Sequence, residues 1–176
     1  MAYDERPAGA QLGPGGPTLP VRGKMLLPGD AAPEFTLLAA NDFSEKQLSD
    51  YAGKVKIISI IPSIDTSVCS TQTRRFNTEA AALGDNLALL TVSADLPFAQ
   101  MRWCGAEGID AVEMLSDHRT MQFADDYGVH ITPLRQTMRA VVVVDQHNKV
   151  IHSEYVTNMA DEVDFDAALK AARDAL

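Results

Sequence analysis

The chain has two thiols, Cys69 and Cys104. Cys69 stands in the middle of PSIDTSVCSTQTRRF, residues 62–76, which reads as a turn feeding a helix. Pro62 closes the apolar run before it, and Asp65 or Thr66 is the natural N-cap of the helix that follows. Cys69 then falls in the first helical turn. Free backbone N–H groups and the positive end of the helix dipole favour a thiolate over a thiol there. The thiolate is the nucleophilic form. A small apolar residue packing under the helix is the competing account, and position alone does not separate the two.

Two cysteines are too few for a disulfide scaffold or a structural zinc site. His118, His130, His147 and His152 show no metal-ligand spacing such as H-x-x-x-H, so neither a metal nor a cofactor is expected. In a reducing compartment a pair of thiols is either inert and buried or engaged in redox chemistry.

The elements that must position these thiols alternate along the chain. KVKIISIIP is an apolar, β-branched run typical of a strand buried on both faces. SVCSTQTRRFNTEAAALGD follows as a helix, with Val68, Gln72, Phe76, Ala80 and Leu83 along one face and Gly84 as its C-cap. LALLTVSAD is a second buried strand after the short strand EFTLLA. PFAQMRWCGAEG opens a helix on Pro and closes it on Gly. DAVEML is a further strand, and RTMQFADDYG a third helix ending at Gly128. MRAVVVVDQHNKVIHSEYV reads as two strands around the turn DQHNK. DEVDFDAALKAARDAL is an amphipathic helix with acids in its first turn. Strand–helix–strand alternation implies crossover connections and a largely parallel centre, joined late by antiparallel strands.

The 176 residues suffice for one domain with a sizeable core. Residues 1–24, rich in Gly and Pro, are expected to form a tail with room for a short hairpin, and residues 25–176 a single domain. Net charge is −9, which favours solubility and opposes non-specific binding to nucleic acid. Arg74–Arg75 is the sole adjacent arginine pair and makes no basic stripe. No apolar run approaches the roughly 20 residues that span a bilayer, so no membrane association is expected. The opening MAYDERPAGAQLGPGGP lacks the apolar centre of a secretory signal, which points to the cytoplasm.

PSIDTSVCSTQTRRFN also contains the peroxiredoxin active-site pattern P-x-x-x-[TS]-x-x-C, matched by Pro62, Thr66 and Cys69. The longer string resembles the bacterial thiol peroxidase subfamily, an atypical 2-Cys group of peroxiredoxins. SADLPFAQMRWCGAEG resembles that subfamily's second signature, with Cys104 in place of its resolving cysteine. RAVVVVDQHNKVI and DFDAAL match as well, and the resemblance runs from about Gly16 to the C-terminus. Trp103 stands where Phe is more usual, and Met138 precedes the arginine where a small residue is common.

The resemblance implies a thioredoxin-like α/β fold, a central mixed β-sheet flanked by helices with an N-terminal extension or hairpin. It implies an antioxidant peroxidase that reduces hydrogen peroxide and organic hydroperoxides. Cys69 would attack the peroxide and become a sulfenic acid. Cys104 would condense with it to an intramolecular disulfide, and thioredoxin would reduce that disulfide. Thr66 and Arg139 would supply donors to the developing charge, and Pro62 would shape and shield the loop. Arg139 is assigned by resemblance; spacing alone leaves Arg74 and Arg75 as alternatives. A homodimer is implied too. Disulfide bonding needs Cα atoms within about 7 Å, so local unwinding around one or both cysteines is expected on oxidation. A redox sensor would use the same disulfide, but nothing marks an output module. A general dithiol oxidoreductase would want C-x-x-C, and Thr66 occupies the place of that motif's first cysteine.

Overall fold

β1 (Glu5–Gln11) and β2 (Thr18–Arg22) pair antiparallel as an N-terminal hairpin. Gly13 and Gly15 take φ of +78° and +71° in its turn, a region open to Gly at little cost. Only Ala10 of β1 is buried, and the register shifts between Arg6 and Ala10. That is why this stretch shows no clean strand period. The computed structural model describes residues 3–176, apart from the side chains of Ala80 and Ala81.

β3 (Thr36–Ala39) and the three-residue β4 (Glu45–Gln47) form a second hairpin. β5 (Val55–Ile60) is buried at every position and leads into α1 (Ser67–Ala80). β6 (Leu87–Ser93), α2 (Pro97–Glu107) and β7 (Glu113–Ser116) follow. α3 (Gln122–Asp126) is shorter than RTMQFADDYG suggests. Met121 takes a left-handed φ of 59° immediately before it, which breaks the helix on its N-terminal side. β8 (His130–Ile131) and β9 (Gln136–Thr137) are two-residue strands. β10 (Arg139–Val144) and β11 (Val150–Val156) are the expected late hairpin, and α4 (Phe165–Ala175) closes the chain. Asp164 caps α4 by accepting from the Ala167 N–H.

The main sheet runs β11-β10-β5-β6-β7-β3-β4. Its centre, β5-β6-β7, is parallel, and both flanks are antiparallel. A smaller sheet, β1-β2-β8-β9, carries the N-terminal hairpin. Successive strand residues feed opposite faces. Ile58, Ile60, Val142 and Val144 join one core with Phe35, Phe123 and Tyr127. Ile57, Val141 and Val143 join the other with Phe76, Trp103, Phe165 and Leu169. Each such side chain contributes about 1.5–3 kcal/mol by leaving water, which is why KVKIISIIP admits so few polar residues.

Register matters more than composition for the site. Ala140 pairs with Ile60, so the start of β10 lies beside the end of β5. Thr137 Oγ1 donates to Ile61 O over 2.7 Å, and Gln136 Nε2 donates to Pro62 O over 3.0 Å. The segment just before Arg139 is thereby tied to the loop that leads to Cys69.

Candidate active site

The loop from Ile61 to Thr66 turns the end of β5 into α1. Thr66 N–H donates to Ser63 O, and Thr66 Oγ1 accepts from the Cys69 N–H at 3.4 Å. Thr66 is therefore the cap of α1, and Cys69 lies in its first turn. Cys69 has no exposed surface. A peroxide oxygen that reaches Sγ must displace atoms that now cover it.

Arg139, at the start of β10, is 1% exposed. Its Nη2 lies 3.4 Å from Cys69 Sγ and also donates to Met159 O at 3.1 Å. Its Nη1 donates to Gln72 Oε1 at 2.8 Å. Its Nε is buried without a partner among the described residues. A buried donor without a partner is uncommon enough to require an account. A cavity of about 240 Å³ opens over Arg139 and Thr66. Leu12 and Gly13 of the N-terminal hairpin, Pro62, Val68, Met159 and Ala160 complete its lining.

Arg74 and Arg75 take other work. Arg74 Nε pairs with Glu107 at 2.7 Å, and Arg75 pairs with Glu79 at 2.8 Å and Asp166 at 3.3 Å. Arg75 also stacks over Phe165.

Cys104 is half-buried in the last turn of α2, and its carbonyl accepts from the Gly108 and Ile109 N–H groups at the helix end. Burial pushes its thiol up to about 11. Both cysteines are free thiols within helices. Trp103, its neighbour in sequence, reaches across to α1 and donates from Nε1 to Ser70 Oγ.

The chain as a whole has counterparts among known proteins. Residues 27–169 match the family described as Redoxin. A thiol peroxidase of Oceanobacillus iheyensis is 57% identical over 141 residues, covering 80% of this chain and 85% of its own. That of Bacillus subtilis is 54% identical over 159 residues, covering 90% and 93%. The chain belongs to the thiol peroxidase subfamily of the peroxiredoxins. Among solved structures, a peroxiredoxin-like protein from Aquifex aeolicus superposes with a TM-score of 0.86 at 30% identity, covering 100% of both chains. A thiol peroxidase from Chromobacterium violaceum gives 0.83 at 27% identity, covering 94% of this chain and 96% of its own. The thioredoxin-like fold is thus established, and the protein is an enzyme, a thiol-dependent peroxidase. Such an activity requires a peroxide substrate and a thiol reductant.

Within this thiol peroxidase, two site-building residues escaped the sequence reading. The sequence puts Gln72 on one face of α1 with Val68 and Phe76. It is a polar side chain in that stripe, 1% exposed, and it bridges Arg139 to Ser59 Oγ at 2.8 Å. Polarity within an apolar stripe was the available signal. Asp95 was the other. Its carboxylate accepts from Ser63 Oγ, the Ile64 N–H and Ser93 Oγ, at 2.8, 2.7 and 2.7 Å. It holds the loop before α1 from the loop before α2. Its only sequence signal was an acid just past a strand end. Among the described residues, no group of three or more His, Cys, Asp or Glu is placed to hold a metal ion. Among them, too, no helix is long and apolar enough to cross a membrane.

Proposed function

We propose that Cys69 is the peroxidatic nucleophile, with Arg139, Thr66 and Pro62 as its site and Cys104 as the resolving thiol. The contact that carries the reading is Arg139 Nη2 to Cys69 Sγ, 3.4 Å between two buried side chains. The Cys69 thiolate attacks the nearer oxygen of a hydroperoxide. The O–O bond breaks, an S–O bond forms, and the other oxygen leaves with the electron pair as alkoxide or hydroxide. It takes a proton and departs as alcohol or water. Charge moves along the sulfur–oxygen–oxygen line, so fixed donors at that line lower the barrier. Arg139 Nε has no partner among the described residues and is a donor for this purpose, and Arg139 and Thr66 both line the cavity. A cation about 4 Å from a developing charge contributes about 4 kcal/mol at an effective dielectric of about 20, close to three decades in rate.

The Cys69 sulfenic acid then condenses with the Cys104 thiol, forming the S–S bond and releasing water. A thioredoxin-type dithiol reduces the disulfide by exchange. Hydrogen peroxide and organic hydroperoxides are both substrates in this reading, the enzyme works as a homodimer, and it serves antioxidant defence in the cytoplasm. Stopped-flow oxidation of the reduced protein by hydrogen peroxide and by cumene hydroperoxide, followed by turnover with thioredoxin and its reductase, tests the scheme. Rapid stoichiometric oxidation at Cys69 and sustained turnover are expected. Oxidation confined to Cys104, or none, would end it.

A further inference from the structure

We propose that the N-terminal hairpin braces the active-site arginine, and that Gln11 is a positioning residue acting through its backbone. The inference rests on the reading of Arg139 given above. The guanidinium is held by two acceptors, the Gln72 side chain and the Met159 carbonyl. Gln72 belongs to α1 and is fixed by Ser59 of β5. Met159 belongs to the irregular segment between β11 and α4, where no strand or helix sets its carbonyl.

That segment's own turn is closed by the Asp161 N–H donating to Asn158 O at 2.9 Å, and Gln11 ties that turn to the hairpin. The Gln11 N–H donates to Thr157 O at 2.7 Å, and Gln11 O accepts from the Met159 N–H at 2.9 Å. These two bonds form a parallel bridge centred on Asn158. The neighbouring Leu12 N–H bonds instead to Pro17 O within the hairpin. Gln11 therefore spends its backbone on the segment that carries Met159 and leaves hairpin pairing to its neighbours. The hairpin is anchored on its own account. Ala10 is fully buried, and Arg6 donates to Gly23 O and Gly128 O. A relay of backbone and guanidinium contacts thus runs from Gln11 through Met159 and Arg139 to Cys69 Sγ. Misplacing a catalytic group by about 1 Å can cost about 100-fold in rate, so the second acceptor of Arg139 matters to the chemistry.

The test compares proline with alanine at position 11 in full-length reduced protein. Gln11→Pro removes the N–H that reaches Thr157, whereas Gln11→Ala keeps it and removes only the side chain. Single-turnover oxidation by hydrogen peroxide is measured for both, with Arg139 present and in the Arg139→Ala background. Gln11→Pro is expected to oxidise about tenfold more slowly than Gln11→Ala when Arg139 is present, and at the same rate when it is absent, because interacting sites are non-additive. Met159→Pro against Met159→Ala repeats the comparison from the other bond, in case Gln11→Pro does not fold. Equal slowing in both backgrounds, or none, would overturn the brace, as would failure of both proline variants to fold. If Arg139→Ala alone leaves oxidation at the parent rate, the assignment of Arg139 itself has failed, and the brace with it.

Discussion

Trp103 Nε1 donates to Ser70 Oγ over 3.1 Å, joining the residue before Cys104 to the residue after Cys69. Ser70 Oγ in turn donates to Ile64 O at 3.1 Å. Two ion pairs tie the same segments at the surface, Arg102 to Asp65 at 3.3 Å and Arg74 to Glu107 at 2.7 Å. Exposed pairs contribute little, and a buried neutral bond about 1 kcal/mol. The buried indole bond is therefore the strongest of these polar ties between the two cysteine-bearing segments. Ser70→Ala should speed conversion of the Cys69 sulfenic acid to the disulfide about fivefold, since about 1 kcal/mol less must be broken. Trp103 is the only tryptophan, so its fluorescence follows the step directly in stopped flow. An unchanged or slower second phase would show that this bond does not restrain the rearrangement.

The rearrangement itself is open to hydrogen exchange. Helix α1 activates Cys69 in the reduced state, and a bond to Cys104 requires the sulfur to leave that setting. Amides within residues 65–75, 97–108, or both should exchange faster in the disulfide form than in the reduced form. Gly105 favours opening at the α2 end, because Gly inside a helix lowers its stability by roughly 1 kcal/mol relative to Ala. Identical protection of both segments in the two redox forms would mean that the cysteines meet without unwinding.

The two thiols should separate cleanly by substitution. Cys69→Ser should abolish peroxide reduction. Cys104→Ser should permit one oxidation and then stall with the thioredoxin system. Steady-state activity of Cys69→Ser equal to the parent protein's would refute the assignment of the nucleophile.

Charge at the site should be specific to one arginine. Arg139→Ala should slow Cys69 oxidation about 100- to 1000-fold, from the loss of about 3–4 kcal/mol of electrostatic stabilisation. Arg74→Ala should change it by less than about twofold, since it loses an exposed ion pair. Single-turnover rates at one pH decide between them; similar losses in the two variants would remove Arg139 from its role.

Cys104 should carry a pH signature. Burial holds its thiol neutral up to about 11, so the thiolate appears only as pH rises toward that value. In the Cys69→Ser protein, alkylation of the remaining thiol should climb through pH 9 and 10 without levelling off. The folded value lies above the unfolded one of about 8.5. The folded state then binds more protons between these values. Its stability should fall as pH rises from about 8.5 to 11 on account of this group. An alkylation midpoint near 8.5 would show that Cys104 reacts from an opened segment.

The sequence by itself determined the features governed by a few neighbouring residues. A cap at Asp65 or Thr66, with Cys69 in the first turn of α1, was legible because a helix start is decided within three or four positions, and the structure chose Thr66. The full burial of β5 was legible as a β-branched run, and the end of α2 as a closing glycine. The tertiary structure alone decided which arginine faces the thiol. Arg74 and Arg75 share the helix of Cys69 yet point to Glu107, Glu79 and Asp166. Arg139 lies 70 positions away and arrives through the pairing of Ala140 with Ile60. β4, β8 and β9 were invisible because strands of two or three residues have no period of their own and exist only through their partners. The bridge from Gln11 to the Met159 segment is made by backbone groups that every non-proline residue carries, so no side-chain pattern announces it. Local propensity is written in adjacent residues, whereas register and loop placement are written in contacts between residues the chain keeps far apart.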